Sequence, residues 1–464
     1  MTTDIAPPYA SVSYWLETAG DLTPRPALDG SVDVDVAILG AGFTGLWTAH
    51  SLLAREPSLR VAVCEAQVAG YGASGRNGAW CSAGLGVTPA ELARRYGAGA
   101  ARDTVLAMRD TVDEIGRVVA AEGIDAAYHR GGLLRIARGP AELPAVHRAM
   151  AGLEALGLGE GCEVLDAGAV DARVRVARTE AALSDVHCAT LHPGRLVRGL
   201  AQRVEGAGGV IYERTAVTRV ETGRSPRLVT DRGHVRAGTV VLAGEAYLSQ
   251  LPRLRRALLP LYSLIVLTEP LTAEQDAAVG WQGGECLSSN RYTVDYLSRT
   301  PDGRVLFGGR GAPYHFGSRI APGYDAHAAT HDLLRAQLRD WFPALAGVRF
   351  SHAWGGPIGM PRDWLPTITH DPAEGLAAAY GYTGQGVATA NLAGRALADL
   401  LLGTPSALTE LPLVGHRPRR WEPEPLRWLA TRYLQRALAG LDERGRRTGR
   451  PPTGRTLAER LIRH

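Results

Sequence analysis

Three glycines at fixed spacing are the first residues of the chain that could do chemistry. Gly40, Gly42 and Gly45 form the pattern G-x-G-x-x-G. In a strand–turn–helix unit the first glycine permits the tight turn, the second lets the backbone approach a pyrophosphate, and the third allows the helix to pack closely on the strand. The free N–H groups at the start of the helix stabilise phosphate charge. The spacing therefore predicts a dinucleotide-binding turn.

The elements around these glycines support that prediction. Residues 34–39 form a short apolar run typical of a buried parallel strand, and apolar residues then recur at helical spacing from Phe43. A second apolar strand, residues 60–65, ends on Glu65, 25 residues after Gly40. A carboxylate at this place accepts hydrogen bonds from ribose hydroxyls, which favours FAD or NAD over NADP. No second pattern of this quality occurs, which disfavours a separate NADH domain.

The composition excludes several kinds of chemistry. All 51 basic residues are arginine, because the chain contains no lysine. A lysine Schiff base, a pyridoxal phosphate aldimine, a lysine general base and a P-loop lysine are therefore excluded. The formal net charge of +4 is too small to indicate a nucleic-acid partner by itself.

The cysteines indicate neither a disulfide framework nor a metal site. They are odd in number, widely spaced and free of any C-x-x-C pair: Cys64, Cys81, Cys162, Cys188 and Cys286. We expect no metal and a reducing compartment. The N-terminus shows no signal-peptide pattern and no apolar run approaches 18 residues, so we expect a cytoplasmic protein without a membrane partner.

Nucleotide-binding patterns recur in three separated stretches, and the segments between them are too long to be loops. We therefore predict an α/β fold in which a Rossmann-like domain with a parallel sheet is interleaved with an α+β domain built on a mostly antiparallel sheet. The predicted boundaries are 1–85, 185–250 and 350–403 for the nucleotide domain, 86–184 and 251–349 for the second domain, and 404–464 for a basic helical tail.

The tail has an unusual charge balance. Residues 415–464 hold 13 arginines against 5 acidic residues. We interpret this segment as a helix packed on the body of the protein, with a solvated basic face or an oligomer contact. Nucleic-acid binding is the alternative, and the sequence leaves the oligomeric state open.

Two glycine-rich segments make the relationship of the chain specific. Residues 72–78 read G-A-S-G-R-N-G and residues 381–387 read G-Y-T-G-Q-G-V; residues 240–244 and 354–359 lie between them in the expected order. In this combination the chain resembles the DAO family of FAD-dependent oxidoreductases and is most similar to the γ-glutamylputrescine oxidase-like enzymes. The resemblance spans roughly residues 14–435.

The resemblance implies FAD as the cofactor, bound without a covalent link. The contacts that it assigns by position are Gly40, Gly42, Phe43, Thr44, Gly45, Glu65, Ala66, Ser74, Arg76, Asn77, Gly78, Val217, Ala243, Gly244, Gly359, Gly384, Gln385, Gly386 and Val387. Some relatives attach the flavin through Cys or His. Residues 352–387 contain no cysteine, and Cys81 is the only position we consider for such a link, with an inert thiol as the preferred interpretation.

The resemblance also implies a reaction. An amine or amino-acid C–N bond is oxidised by hydride transfer to flavin, the imine is hydrolysed, and electrons pass to O2, giving H2O2, or to another acceptor. Sarcosine oxidase-like relatives use a lysine near the flavin in the reaction with oxygen. Since this chain has none, a nearby Arg or His would have to serve, or the enzyme is a dehydrogenase.

The residues that handle the substrate are not identified by any motif. Polar and aromatic candidates in the second domain and its neighbourhood are Arg76, Tyr262, Arg291, Tyr292, Arg310, His352 and Trp354. Each has an ordinary structural alternative: Arg76 could pair with a structural carboxylate, and aromatic residues in strands are usually core.

Two other functions remain as alternatives. A flavin monooxygenase or halogenase has a similar two-domain plan, but it normally carries a late G-D-A-x-H element that residues 381–387 do not match. The second alternative is a flavin-binding protein without catalytic activity.

Overall fold

The computed structural model describes residues 9–462, so residues 1–8 of the predicted first segment and residues 463–464 of the predicted tail lie outside the described part. Its strands, in chain order, are β1 (Val32–Asp33), β2 (Val36–Leu39), β3 (Val61–Cys64), β4 (Trp80–Ser82), β5 (Leu133–Arg138), β6 (Cys162–Asp166), β7 (Thr179–Asp185), β8 (Cys188–Thr190), β9 (Val210–Tyr212), β10 (Val217–Glu221), β11 (Arg227–Thr230), β12 (His234–Arg236), β13 (Thr239–Leu242), β14 (Leu259–Thr268), β15 (Cys286–Ser289), β16 (Asp295–Arg299), β17 (Val305–Arg310), β18 (Phe350–Met360), β19 (Thr367–Asp371) and β20 (Leu376–Tyr380).

The α-helices of the described residues are α1 (Tyr14–Glu17), α2 (Phe43–Arg55), α3 (Pro89–Tyr96), α4 (Ala98–Ala121), α5 (Leu143–Glu154), α6 (Ala167–Asp171), α7 (Pro193–Gly206), α8 (Ala273–Val279), α9 (Ala328–Trp341), α10 (Gly386–Leu402), α11 (Leu426–Thr448) and α12 (Leu457–Ile462). None of them combines the length and the apolar character that a membrane span requires.

The first large sheet is the predicted Rossmann-like unit. Its order is β19-β20-β13-β2-β3-β9, and all neighbours are parallel except the edge strand β19. Alternate residues face opposite layers: Ile38 and Val241 pack against the helices, and Ala37 and Val240 pack against a small sheet of order β1-β12-β11-β10. Burial on both faces explains the continuous apolar runs of these strands.

The second large sheet is mostly antiparallel, as predicted. Its order is β18-β14-β17-β16-β15-β5-β7-β6, and β5 with β15 is its parallel pair. One face packs on α9 through the core that contains Leu264, Phe307 and Leu338. The other face meets the Rossmann-like unit through Ile265 and Trp354. The predicted fold class is confirmed.

The structure corrects the predicted boundaries in three places. Strand β18 was placed in the nucleotide domain, but it pairs with β14 from Leu259↔Met360 onwards and forms the edge of the second sheet. Helices α3 and α4 were placed in the second domain, yet Leu92 and Met108 pack in the same core as α2 and α10. Residues 404–425 of the predicted helical tail contain no α-helix; the α-helices of the tail begin at Leu426.

Candidate active site

The first glycine turn has the geometry that its spacing predicts. Gly40 has φ +104°, and a Cβ there would lie 2.9 Å from the carbonyl oxygen of Ala243. A Cβ on Gly45 would lie 2.0 Å from the carbonyl oxygen of Gly40, so neither position accepts a side chain. Gly42 is the N-cap of α2 and provides no side chain to cap it. The start of α2 therefore presents backbone N–H groups to an anion.

Glu65 closes this turn from the end of β3. Its carboxylate accepts hydrogen bonds from the backbone N–H groups of Ala41 (3.0 Å) and Gln67 (3.0 Å), and burial raises its pKa. The Thr215 N–H donates to the Glu65 carbonyl at 2.8 Å, which brings the chain leading to Val217 alongside. Glu65 thus lies beside the glycine turn, and the adjacent Ala66 is exposed.

The loop of residues 72–78 is held by its own polar groups. The Ser74 hydroxyl accepts from the Phe43 N–H at 2.8 Å, which joins the loop to the first turn of α2. The Asn77 side-chain amide donates to the Ala73 carbonyl (3.2 Å) and the Ser74 carbonyl (3.0 Å). Asn77 therefore shapes the loop, while the loop backbone faces the glycine turn.

Arg76 is buried and has a carboxylate partner. One of its terminal nitrogens lies 2.7 Å from Oδ2 of Asp325 and donates to the Gly355 carbonyl at 3.2 Å, and its Nε donates to the Tyr71 carbonyl at 2.8 Å. The structure thus shows the pairing that sequence reasoning gave as the structural alternative. The guanidinium links the loop to β18 of the second sheet.

The third glycine-rich segment is organised by a residue that sequence reasoning missed. Glu245 follows Gly244 with φ +44°. Its buried carboxylate accepts from the N–H groups of Gly381 (2.7 Å), Tyr382 (3.3 Å) and Gly359 (3.2 Å). Burial raises its pKa to about 7, against the effect of the three N–H donors. An acidic residue directly after a strand-ending Ala-Gly was the available sequence signal.

The start of α10 resembles the start of α2. Gly384 has φ +96°, Gln385 is the N-cap without a side-chain cap hydrogen bond, and Val387 is buried. The Tyr382 and Thr44 hydroxyls are 2.9 Å apart, so this segment contacts the first turn of α2. Two helix starts whose N-cap residues make no side-chain cap hydrogen bond therefore converge with the 72–78 loop on one place.

The face of the second sheet that meets this place carries Tyr296 and Arg310. Tyr296 lies against Gly78 and Gly308, where an added Cβ would meet its ring at 2.5 and 2.1 Å. Its hydroxyl is 2.9 Å from the Ser263 hydroxyl. Arg310 donates to the Thr383 carbonyl at 3.3 Å and stands over the Trp364 ring, 5.2 Å from its centroid. The glycine-rich segments and the second sheet thus meet at Arg310.

Arg310 has no acidic partner among the described residues. Among the described residues, four arginines have a pKa lowered by burial: Arg135, Arg138, Arg198 and Arg310. Arg138 and Arg198 are paired with carboxylates, whereas Arg135 and Arg310 form no ion pair within 4 Å. Arg135 lies on β5, three strands away, where the charge of Asp185 partly offsets its burial. Burial lowers the Arg310 pKa to about 10.

The structure does not bring all the predicted substrate residues to this face. The side chains of a strand alternate between faces, so Tyr262 points away from Ser263 and packs against His315 and Tyr324 on the other side. Tyr262, predicted as a substrate-side candidate, therefore lies on the face of the sheet opposite to Tyr296 and Arg310. Trp354 does lie on the cofactor side, where its indole N–H donates to the Arg76 carbonyl at 2.9 Å.

Three further substrate candidates make contacts elsewhere in the protein. His352 is 2.9 Å from Glu17 and packs edge-on to Tyr14 in the N-terminal segment. Arg291 and Tyr292 contact the C-terminal helices instead: Arg291 lies 3.7 Å from Asp442, and the Tyr292 hydroxyl donates to a carboxylate of α12. Their contacts differ from the prediction that these side chains handle substrate.

The cysteines offer little reactivity. Cys81 is buried, and burial raises its pKa well above the ordinary value, which disfavours the thiolate.

Cys162, Asp185 and His187 bring possible ligand atoms within 4.8 Å of one another. The Arg109 guanidinium lies 3.5 Å from the Cys162 sulfur, and its positive charge disfavours a cation there.

The convergence of these groups fits FAD. The uncapped start of α2 suits a pyrophosphate, the carboxylate of Glu65 suits a ribose, and the start of α10 lies beside the face that carries Tyr296 and Arg310. Gly42, as the N-cap, lets Ser74 approach closely, since a Cβ there would lie 2.9 Å from the Ser74 hydroxyl.

Comparison with known proteins also relates this chain to FAD-dependent oxidoreductases. A family model described as "FAD dependent oxidoreductase" (DAO) matches residues 35–400. The chain is 30% identical over 413 residues to the γ-glutamylputrescine oxidoreductase of Escherichia coli strain K12, covering 88% of this chain and 92% of that protein. It is also 30% identical to the probable oxidoreductase OrdL of Rhizobium meliloti, covering 87% and 90%. The crystal structure of glycine oxidase from Geobacillus kaustophilus has the same fold, with TM-score 0.69 and 22% identity, covering 83% of this chain and 100% of that one.

Proposed function

The chain belongs to the DAO family of FAD-dependent oxidoreductases, and from that premise we propose that it oxidises a C–N bond of a small amine or amino acid that carries a carboxylate. The similarity to γ-glutamylputrescine oxidoreductase supports an amine or amino-acid substrate. Bound FAD would accept the hydride from the C–H next to nitrogen, and water would hydrolyse the imine so formed to a carbonyl compound and an amine or ammonia.

The observation that carries this proposal is the guanidinium of Arg310, which forms no ion pair with a carboxylate of the described residues. Arg310 is largely removed from solvent, and a cation in that position without an acidic partner among the described residues is costly to the folded protein, so an anion that arrives later would offset the cost. The planar fork of an arginine suits a carboxylate in a bidentate arrangement. Arg310 lies next to Thr383 and one strand from Tyr296, which places it beside the glycine-rich segments. Its anion is therefore the carboxylate of the substrate.

The residues assigned to the cofactor have distinct tasks in this proposal. The start of α2 holds the pyrophosphate, and Glu65 holds the adenosine ribose. The start of α10, from Gln385, faces the flavin, where backbone N–H groups stabilise negative charge. Glu245 keeps the 381–387 segment in register by binding its backbone. The burial of Cys81 and the raised pKa of its thiol support a flavin held without a covalent link.

A carboxylate-matched substrate panel tests the proposal. Purified holoenzyme is mixed anaerobically with pairs that differ only in the carboxylate, such as glycine with methylamine and γ-aminobutyrate with butylamine, together with γ-glutamylputrescine. We expect flavin bleaching by a carboxylate-bearing member and far slower bleaching by its partner. Equal bleaching of both members would contradict the role of Arg310. Bleaching by NADPH alone would favour the monooxygenase alternative.

A further inference from the structure

The C-terminal segment, residues 419–462, contacts the chain on both sides of Arg310. It lies beyond residue 400, where the match to the family model ends. We call this segment the C-terminal clamp. Its two main anchors are the carboxylates of Glu424 and Asp442, and each receives several hydrogen bonds from a different loop of the second domain.

Glu424 holds the loop that follows Arg310. Its Oε1 accepts from the Tyr314 hydroxyl at 2.7 Å and from the Gly317 N–H at 2.9 Å. Further along the clamp, the Gln435 amide donates to the Ala312 carbonyl at 2.9 Å. Ala312 is two residues from Arg310, so these bonds fix the chain directly after the guanidinium-bearing residue.

Asp442 holds the loop that precedes Tyr296. It accepts from the backbone N–H groups of Tyr292 and Thr293, both at 2.9 Å, and from the Thr293 hydroxyl at 2.7 Å. Its side chain is only 5% exposed, which strengthens these charge-assisted bonds. Val294, the next residue, accepts from the Arg310 N–H at 3.4 Å. The loop held by Asp442 thus supports the backbone of Arg310.

From these contacts we propose that Glu424 and Asp442 are positioning residues, which act through the two loops to place Arg310 for the substrate carboxylate. This inference rests on the role that the proposed function gives to Arg310. A guanidinium that binds a carboxylate in a bidentate arrangement tolerates little displacement. The clamp would therefore set substrate affinity without touching the substrate or the flavin.

The test uses Asp442→Asn and Glu424→Ala in the holoenzyme, with Glu443→Gln as the matched control. Glu443 neighbours Asp442 on α11 but is exposed, and its one ion pair among the described residues is with Arg446, one turn away. The probe is acetate, titrated while the flavin absorbance is recorded. We expect the dissociation constant of acetate, and KM for an active substrate, to rise about tenfold in both clamp variants with kcat and bound FAD unchanged. Glu443→Gln should match the wild type.

Arg310→Met separates failure of this inference from failure of the proposed function. If the wild type binds acetate and Arg310→Met does not, while both clamp variants bind it as tightly as the wild type, the clamp inference is overturned. If the wild type and Arg310→Met respond alike, the proposed function fails. In that case the clamp inference, which rests on the role of Arg310, is overturned as well.

Discussion

Replacing Arg310 by methionine should separate substrate recognition from stability. Methionine keeps most of the length of the side chain and removes the charge. Loss of a desolvated charge pair with a substrate carboxylate costs about 3 kcal/mol, which corresponds to roughly 100-fold in kcat/KM. The substrate panel, measured under anaerobic conditions, should show this loss for carboxylate-bearing members only.

The same substitution should leave the folded protein at least as stable. The Arg310 pKa falls from 12.5 to about 10 because burial disfavours the charged form. Below pH 10 the guanidinium is charged in both states, so the folded protein carries the full cost at neutral pH. A shift of this size corresponds to about 3 kcal/mol, and partial exposure of the side chain reduces it to about 2 kcal/mol. Arg310→Met should therefore raise Tm.

Arg138→Met is the matched comparison. Arg138 is also buried, but it is paired with Asp340 at 3.1 Å and stands over the Trp341 ring. Its replacement removes these contacts and should lower the stability by about 2 kcal/mol. If Arg310→Met loses stability as Arg138→Met does and retains kcat/KM, Arg310 is a structural residue and the reasoning fails.

Three further changes test the cofactor side. Gly40→Ala should abolish FAD retention on gel filtration, because an alanine at φ +104° is strained and its Cβ would lie 2.9 Å from the Ala243 carbonyl oxygen. A normal FAD content in this variant would contradict the turn geometry. The Glu245 carboxyl has a pKa raised to about 7, so it contributes stability that is fully present below pH 4.5 and is lost as pH rises through 7. This contribution is at most about 3 kcal/mol. The wild-type Tm should therefore fall over that pH range, and the Tm of Glu245→Gln should not. Acid precipitation should release all flavin from the wild type and from Cys81→Ser alike; colour lost from the pellet only in the variant would establish a covalent link at Cys81.

The sequence predicted the features that depend on local spacing. The glycine turn, the start of α2 at Phe43 and the acidic end of β3 follow from chemistry within 25 residues. The face of the sheet on which Tyr262 lies does not follow from local spacing, because it depends on the register in which β14 pairs with β17 and β18. The same long-range pairing moved residues 350–360 into the second sheet.

Features formed by residues that are far apart in the chain could not be predicted from the sequence either. Glu245 acquires its role only when residues 359 and 381–382 fold onto it, more than 100 residues away. The basic composition of the tail gave no indication of Glu424 and Asp442, whose carboxylates make its main contacts with the body. Arg310 was one candidate among seven, and only the absence of an acid partner among the described residues distinguishes it.

Whether the electrons pass to oxygen or to another acceptor can be determined by measuring hydrogen peroxide during turnover. The chain has no lysine to assist the reaction with oxygen, and Arg310, without an acid partner in the described part of the chain, donates to the Thr383 carbonyl shortly before the start of α10. Hydrogen peroxide formed in step with substrate loss in air identifies an oxidase. Turnover that needs an added dye, without peroxide, identifies a dehydrogenase.

Anaerobic reduction of the bound flavin tests the central claim most directly. The holoenzyme is titrated with carboxylate-bearing amines in the absence of NADPH, and the wild type is compared with Arg310→Met. We predict bleaching of the wild-type flavin absorbance with formation of the carbonyl product, and a rate roughly 100-fold lower at subsaturating substrate in the variant. A preparation without flavin absorbance, or a flavin that only NADPH reduces, would contradict the account.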